Sequence, residues 1–404
     1  MNKHVSFIIC ALCYLFGGTV STLLSSNLPI VIKDMTNHMT PLNVDTISAW
    51  LNAGFLYGWM LGGLLLGIIS DRIGRTKTLA ISSIIYGIFT LLVVNVQSWE
   101  MLLFYRFCAG FGVGGVLLIA TVYISEIWYP DTRSVALGLL AVAFPVGIVL
   151  TGAMTAGFAH WQQAFGLGII PLVLGLVVWF LLPESEDWAS LKKQHETVAN
   201  TSVRTLFHPT YRNNLLTGTI IFGAVLVGLW GLFSWIPTWV QGLLHGTSDG
   251  QTERGTAMMI LGIGGIVGGS LSGIMMQRMG SRNTLLFTFM GLTLICGVLF
   301  LTNENFSPIV YLEMAILAMF FGISQGALSA YIPALFPTHI RAMATGFCFN
   351  ICRFFTATAV FFVGALVQYL GGFSNALLTF AITFVIAGIA TFYSPTTQGN
   401  SKPI

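Results

Sequence analysis

Twelve apolar runs, each close to the length of a bilayer crossing, follow one another along this chain and leave little else to fold. They cover 5–32, 47–70, 78–98, 101–127, 135–158, 162–182, 214–240, 255–276, 284–302, 308–334, 342–369 and 375–393. A helix of about 20 residues spans the ~30 Å hydrocarbon layer, where every backbone N–H and C=O must find its partner inside the segment. A chain that is 55% hydrophobic and 8% charged is excluded from being a water-soluble globule. The pattern therefore predicts an all-α membrane protein with twelve transmembrane helices.

A short polar hinge between runs occurs twice. Gly67-Ile68-Ile69-Ser70-Asp71-Arg72-Ile73-Gly74-Arg75-Thr76-Lys77 is echoed 206 residues later by Gly273-Ile274-Met275-Met276-Gln277-Arg278-Met279-Gly280-Ser281-Arg282. Internal duplication of a helical bundle is a plan of membrane carriers. It predicts two pseudo-symmetric six-helix bundles, 1–182 and 214–404, the second ending in a short tail. Between them, 183–213 concentrates charge in Glu184, Glu186, Asp187, Lys192, Lys193, Glu196, Arg204 and Arg212, as a linker at the membrane surface would.

Basic residues set the orientation. If both termini are cytoplasmic, that side holds Lys3, Arg72, Arg75, Lys77, Arg133, Lys192, Lys193, Arg204, Arg212, Arg278, Arg282, Arg341 and Lys402, and the other side only Lys33 and Arg254. The net charge of +3 then describes topology, not affinity for nucleic acid. The first run is too long for a signal peptide and reads as a span. All six cysteines fall inside runs and read as packing residues, and all seven histidines fall in or beside loops. No nucleophile with its base, metal-ligand set or nucleotide loop is present, so neither an enzyme nor a cofactor is expected. Short outer loops suit a plasma membrane, bacterial by expectation, and a monomer in lipid.

Further motifs join the hinges. The fourth run carries Arg106-Phe107-Cys108-Ala109-Gly110-Phe111-Gly112-Val113-Gly114, then Tyr123-Ile124-Ser125-Glu126 and Pro130-Asp131-Thr132-Arg133. The sixth ends in Pro183-Glu184-Ser185, and the tenth leads into Phe336-Pro337-Thr338-His339-Ile340-Arg341. Together they resemble the major facilitator superfamily over essentially the whole chain, in the pattern of its sugar-porter, metabolite:proton-symporter and organic-ion branches. The resemblance implies lobes that rock about a central cavity. It also implies a cytoplasmic gate built from Gly67, Asp71, Arg72, Gly74, Arg75, Glu126 and Arg133, with Arg278 and Arg341 in the second half. Gln277 replaces the acid in the second hinge. The bland alternative for the hinge cations is topology anchoring.

Charges inside the spans narrow the cargo, because each is costly there and normally faces a cavity or a partner. Arg106 and Arg353 lie within the fourth and eleventh runs, and two guanidinium groups with few acids nearby predict a cavity of positive potential. A planar fork grips carboxylates well, so the expected substrate is a small organic anion, a monocarboxylate or aromatic acid. The segment Gly346 to Arg353 resembles the eleventh-span pattern of organic-anion carriers. Asn27, Gln325 and Asn350 are uncharged polar residues positioned to orient a ligand or to bond a neighbouring helix. Trp230 and Trp235 either line the cavity or anchor the seventh span at the interface. Thr19 stands where proton-coupled sugar porters of the resembled family carry an acid, so proton symport, if present, must use Glu313, Glu126 or the substrate's own carboxylate. The competing readings are efflux of a drug-like or siderophore-like compound, proton-independent uniport of a sugar-like metabolite, and a sensor that kept the fold.

Overall fold

A computed structural model describes residues 3–35, 41–129, 132–158, 160–186, 188, 206–246 and 248–394. Most of the charged linker, 189–205, lies outside the described residues, as do Asp131 and the side chain of Arg341. Among the described residues the membrane-length helices are twelve: Lys3–Met35, Val44–Ile73, Arg75–Asn95, Trp99–Ile127, Val135–Gly157, Trp161–Leu181, Pro209–Leu243, Gln251–Met279, Ser281–Thr302, Ile309–Ala334, Ala344–Phe361 and Phe373–Tyr393. No strand occurs among the described residues. After an even number of crossings the first span begins and the last ends on one face, here the terminus face; the opposite side is the far face.

Both hinges fold alike. Gly74 adopts φ 116° and ψ 156°, and Gly280 adopts φ 79° and ψ 157°, conformations that disfavour any side chain. The twofold repeat of the sequence is thus also a repeat of backbone geometry. Small residues then let helices of one half press together. The second span's Gly58 and Gly62 rest on the carbonyls of Phe107 and Phe111, and the fourth span's Gly110 and Gly114 on those of Phe55 and Trp59; a methyl group at any of the four would collide. In the other half, Gly268 meets the Met319 carbonyl and Gly322 the Gly265 carbonyl. Hydroxyls join the first and fifth spans, with Thr22 donating to Thr151 at 3.0 Å and Ser26 to Thr155 at 2.8 Å.

The halves touch unevenly. Near the far face, Tyr57 and Thr358 share a 2.9 Å hydrogen bond, Trp50 stacks on Phe361, and Gly152 of the fifth span abuts Gly255 of the eighth. Towards the terminus face the contact between the fifth and eighth spans gives out: Gly138 of the fifth and Gly269 and Gly273 of the eighth face open space. The bundles are closed on the far face and parted on the terminus face.

Two differences from the sequence reading bear on the site. The seventh run breaks between Phe233 and Ile236, where Pro237 offers no N–H to the helix and a new one starts. The eighth span begins at Gln251, four residues before the run 255–276. Arg254, expected in an outer loop, is therefore inside a helix, and it is fully buried.

Candidate functional site

Arg353 sits on the eleventh span at the boundary between bundles. Its Nη1 donates to the Phe349 carbonyl at 3.2 Å and to Asn350 Oδ1 at 3.1 Å. Asn350 is itself oriented, its amide donating to the Gly346 carbonyl at 2.9 Å, so the helix presents the guanidinium with one edge secured. The other bundle supplies a face: the guanidinium lies 5.7 Å from the Trp59 ring. Trp59 meets Trp230 edge-on at 5.3 Å and Phe144 at 5.9 Å, and Phe144 meets Tyr14 at 6.5 Å.

Arg353 is only half-buried and has no carboxylate partner. The ion pairs among the described residues are both made by Arg75. A cation held by neutral dipoles in a low-dielectric surround leaves a positive potential that an incoming anion relieves. The arrangement can grip a carboxylate on the free guanidinium edge while an apolar or aromatic body rests among Trp59, Trp230 and Phe144.

Arg106, grouped with Arg353 in the sequence reading, is placed elsewhere. It is 2% exposed, inside the first bundle. Its Nη1 donates to the Val20 carbonyl at 2.8 Å and its Nη2 to that of Ser21 at 3.4 Å, while its plane covers the Phe55 ring at 4.1 Å. It clamps the fourth span to the first. Thr19 faces the fifth span, donating to the Gly147 carbonyl at 3.0 Å. Asn27 donates to the Leu23 carbonyl at 2.8 Å and to Thr155 at 3.3 Å, beside a far-face polar cavity of about 250 Å³ shared with Asp34, His160 and Gln251. Trp230 belongs to the aromatic cluster at Arg353, whereas Trp235 is fully buried against Phe373. Gln325 of the tenth span has a buried Nε2 without a partner.

Of the coupling carboxylates, Glu313 is buried at the far-face end of the tenth span, accepting from Asn303 Nδ2 at 2.6 Å. Glu126 accepts from Arg75 Nε at 3.1 Å on the terminus face. Neither pairs with Arg353.

The hinge forms a compact network within the first bundle. Arg75 bridges Asp71, Ser70 Oγ and Glu126. Glu184, from the segment after the sixth span, accepts the backbone N–H groups of Arg75 and Thr76, where a carboxylate meets the positive start of the third helix. Trp188 Nε1 donates to the Asp71 carbonyl at 3.0 Å. Gly67 packs on Leu118, and Gly74 leaves room for the Glu184 carboxylate. Arg72 and Arg278 are exposed, and the Arg133 Nε is buried without a partner. No ion pair crosses to the second bundle among the described residues, which fits a terminus face that is parted. Sequence reasoning missed Tyr14, Trp59 and Phe144, because an aromatic residue in an apolar run carries no mark of facing inward.

Two helical bundles, closed on one side and parted on the other around the half-buried Arg353, have the build of a membrane carrier. A family model described as Major Facilitator Superfamily matches residues 10–360, and the chain belongs to that family. It is a multi-pass transporter and not an enzyme. A cis,cis-muconate transport protein of Acinetobacter baylyi is 27% identical, covering 96% of this chain and 91% of its own. A 3-(3-hydroxy-phenyl)propionate transporter of Escherichia coli is 24% identical, covering 88% and 86%. Among solved structures, a D-xylose-proton symporter superposes with a TM-score of 0.80 at 17% identity, covering 99% of this chain and 100% of that one. An inward-open xylose transporter from E. coli gives 0.79 at 17% identity, covering 99% and 98%; at this identity the likeness is one of fold.

Proposed function

We propose that this protein carries a small organic anion, a monocarboxylate or aromatic acid, across a bacterial plasma membrane by alternating access, with Arg353 as the carboxylate anchor. The bundles are 1–182 and 214–404, joined by 183–213, with both termini cytoplasmic. The observation that carries the reading is a half-buried guanidinium on the bundle boundary, fixed by Asn350 and the Phe349 carbonyl, 5.7 Å from the Trp59 ring and with no carboxylate partner among the described residues. The muconate and hydroxyphenylpropionate carriers among the relatives support a small organic anion as the substrate.

The coupling we propose is proton symport. Importing a bare anion against a negative interior costs about 2.3 kcal/mol per 100 mV, and a co-transported proton removes that term. With no acid in the first span before Asp34, the proton is carried by Glu313, Glu126 or the substrate carboxylate. The working parts are then one protein molecule, lipid, an anionic substrate and protons, with no cofactor.

The test is uptake into proteoliposomes of a panel of labelled carboxylates, sugars and amines, with and without an inward proton gradient. Carboxylate uptake that accelerates with the gradient is the expected result. Uptake of sugars alone, or carboxylate uptake blind to the gradient, overturns the substrate or the coupling part respectively.

A further inference from the structure

The far face is held shut by donors from the first turn of the eighth span. Gln251 Nε2 donates to the carbonyls of Thr155, at 2.8 Å, and of Phe158, at the C-terminal end of the fifth span. Those carbonyls are the ones a helix leaves unpaired at its end, and the positive start of the eighth helix faces them. One turn on, Arg254 is fully buried and its Nε donates to the Ser26 carbonyl of the first span at 3.1 Å. Its Nη1 donates to Gln241 Oε1 and to the Asp249 carbonyl, both in its own bundle, and its Nη2 is buried without a partner. Beside these bonds, Gly152 and Gly255 bring the fifth and eighth spans into backbone contact.

The two kinds of bond do different work. Gln241 and Asp249 travel with Arg254 in any rigid-body rocking of the bundles and keep its fork aimed. The bonds to Ser26, Thr155 and Phe158 cross between bundles and break when the far face opens. We infer that Gln251 and Arg254 form the far-side latch of the transport cycle, acting on the balance between the two facing states and not on the substrate. In the parted state Arg254 becomes hydrated, so its lone buried Nη2 favours opening, while the bond to Ser26 and the two from Gln251 favour closure. Three lobe-crossing bonds, one of them from a charged donor, are thus set against the two N–H groups of one unpartnered nitrogen.

The inference rests on alternating access but not on carboxylate transport. Pulsed electron-electron distance measurements on substrate-free full-length protein separate the two. Native cysteines are replaced, and spin labels are placed at exposed far-face positions, His160→Cys with Glu304→Cys, and at exposed terminus-face positions, Lys77→Cys with Asn283→Cys. Gln251→Ala and Arg254→Met are each expected to enlarge the long-distance far-face population about tenfold, with the terminus-face pair shortening in parallel, while Arg254→Lys stays near wild type. Unchanged or shorter far-face distances overturn the latch. Widening of both pairs together also overturns it, because that marks loosening of the fold and not a shift between states.

Discussion

Arg106 and Arg353 look alike in the sequence, each an arginine inside an apolar run, yet the fold gives them opposite tasks. Arg106 is 2% exposed, covered by Phe55 and bonded to two carbonyls of the neighbouring span in its own bundle. Arg353 is half-buried, bonded only within its own helix turn, and leans on an aromatic residue from the opposite bundle. A buried cation is costly in either place. At Arg106 the cost is offset by permanent intrabundle bonds, so the residue braces. At Arg353 no other span supplies an acceptor among the described residues, and on the proposed function an anion takes that place. Each cation has found two protein acceptors, and what separates them is where these sit: on the neighbouring span for Arg106, and on its own helix turn for Arg353, whose other edge is left open at the bundle boundary.

The sharpest way to break this contrast is Arg353→Ala. Removing one partner of a buried charged pair costs about 2–5 kcal/mol, so carboxylate uptake is expected to fall at least about thirtyfold, with Arg353→Lys recovering part of it because an ammonium grips at one point only. Uptake kinetics in proteoliposomes check it. Trp59→Leu comes next, with a loss of about tenfold in kcat/KM for aromatic acids and less for small aliphatic ones, since base support of the guanidinium and ring packing go together. Asn350→Ala frees the guanidinium without removing it, and a rise in KM of about three- to tenfold is expected, kcat changing less. The reverse pattern is predicted for Arg106→Met: KM for carboxylates within about threefold of wild type, and a thermal midpoint lowered by several degrees from the loss of bonds worth about 1–3 kcal/mol. A normal midpoint with lost binding would invert the assignment.

The membrane class, the run of twelve spans and the two hinges were legible because bilayer length and backbone satisfaction leave few alternatives. Arg353 was legible as a charge inside a span, since such charges are rare. The partners of that arginine were not. Trp59, Phe144 and Tyr14 face it from three helices of the other bundle, and only the rotation of each helix, set by glycine contacts such as Gly58 with Phe107, turns them inward. Arg254 was read as a loop residue because its helix starts with Gln251-Thr252-Glu253, polar residues that hide the beginning of a span. The hinge acids were legible as a cluster, but sequence alone does not say that Arg75 bridges Asp71 and Glu126 inside one bundle with no ion pair to the other.

Calorimetric titration of the purified protein with the carboxylate most active in the uptake panel, run side by side on wild type, Arg353→Ala and Arg106→Met, probes the contrast at its root. Affinity lost about a hundredfold at Arg353 and kept within about threefold at Arg106 is the expected outcome. Wild-type affinity in Arg353→Ala would contradict the assignment of the anion to that guanidinium.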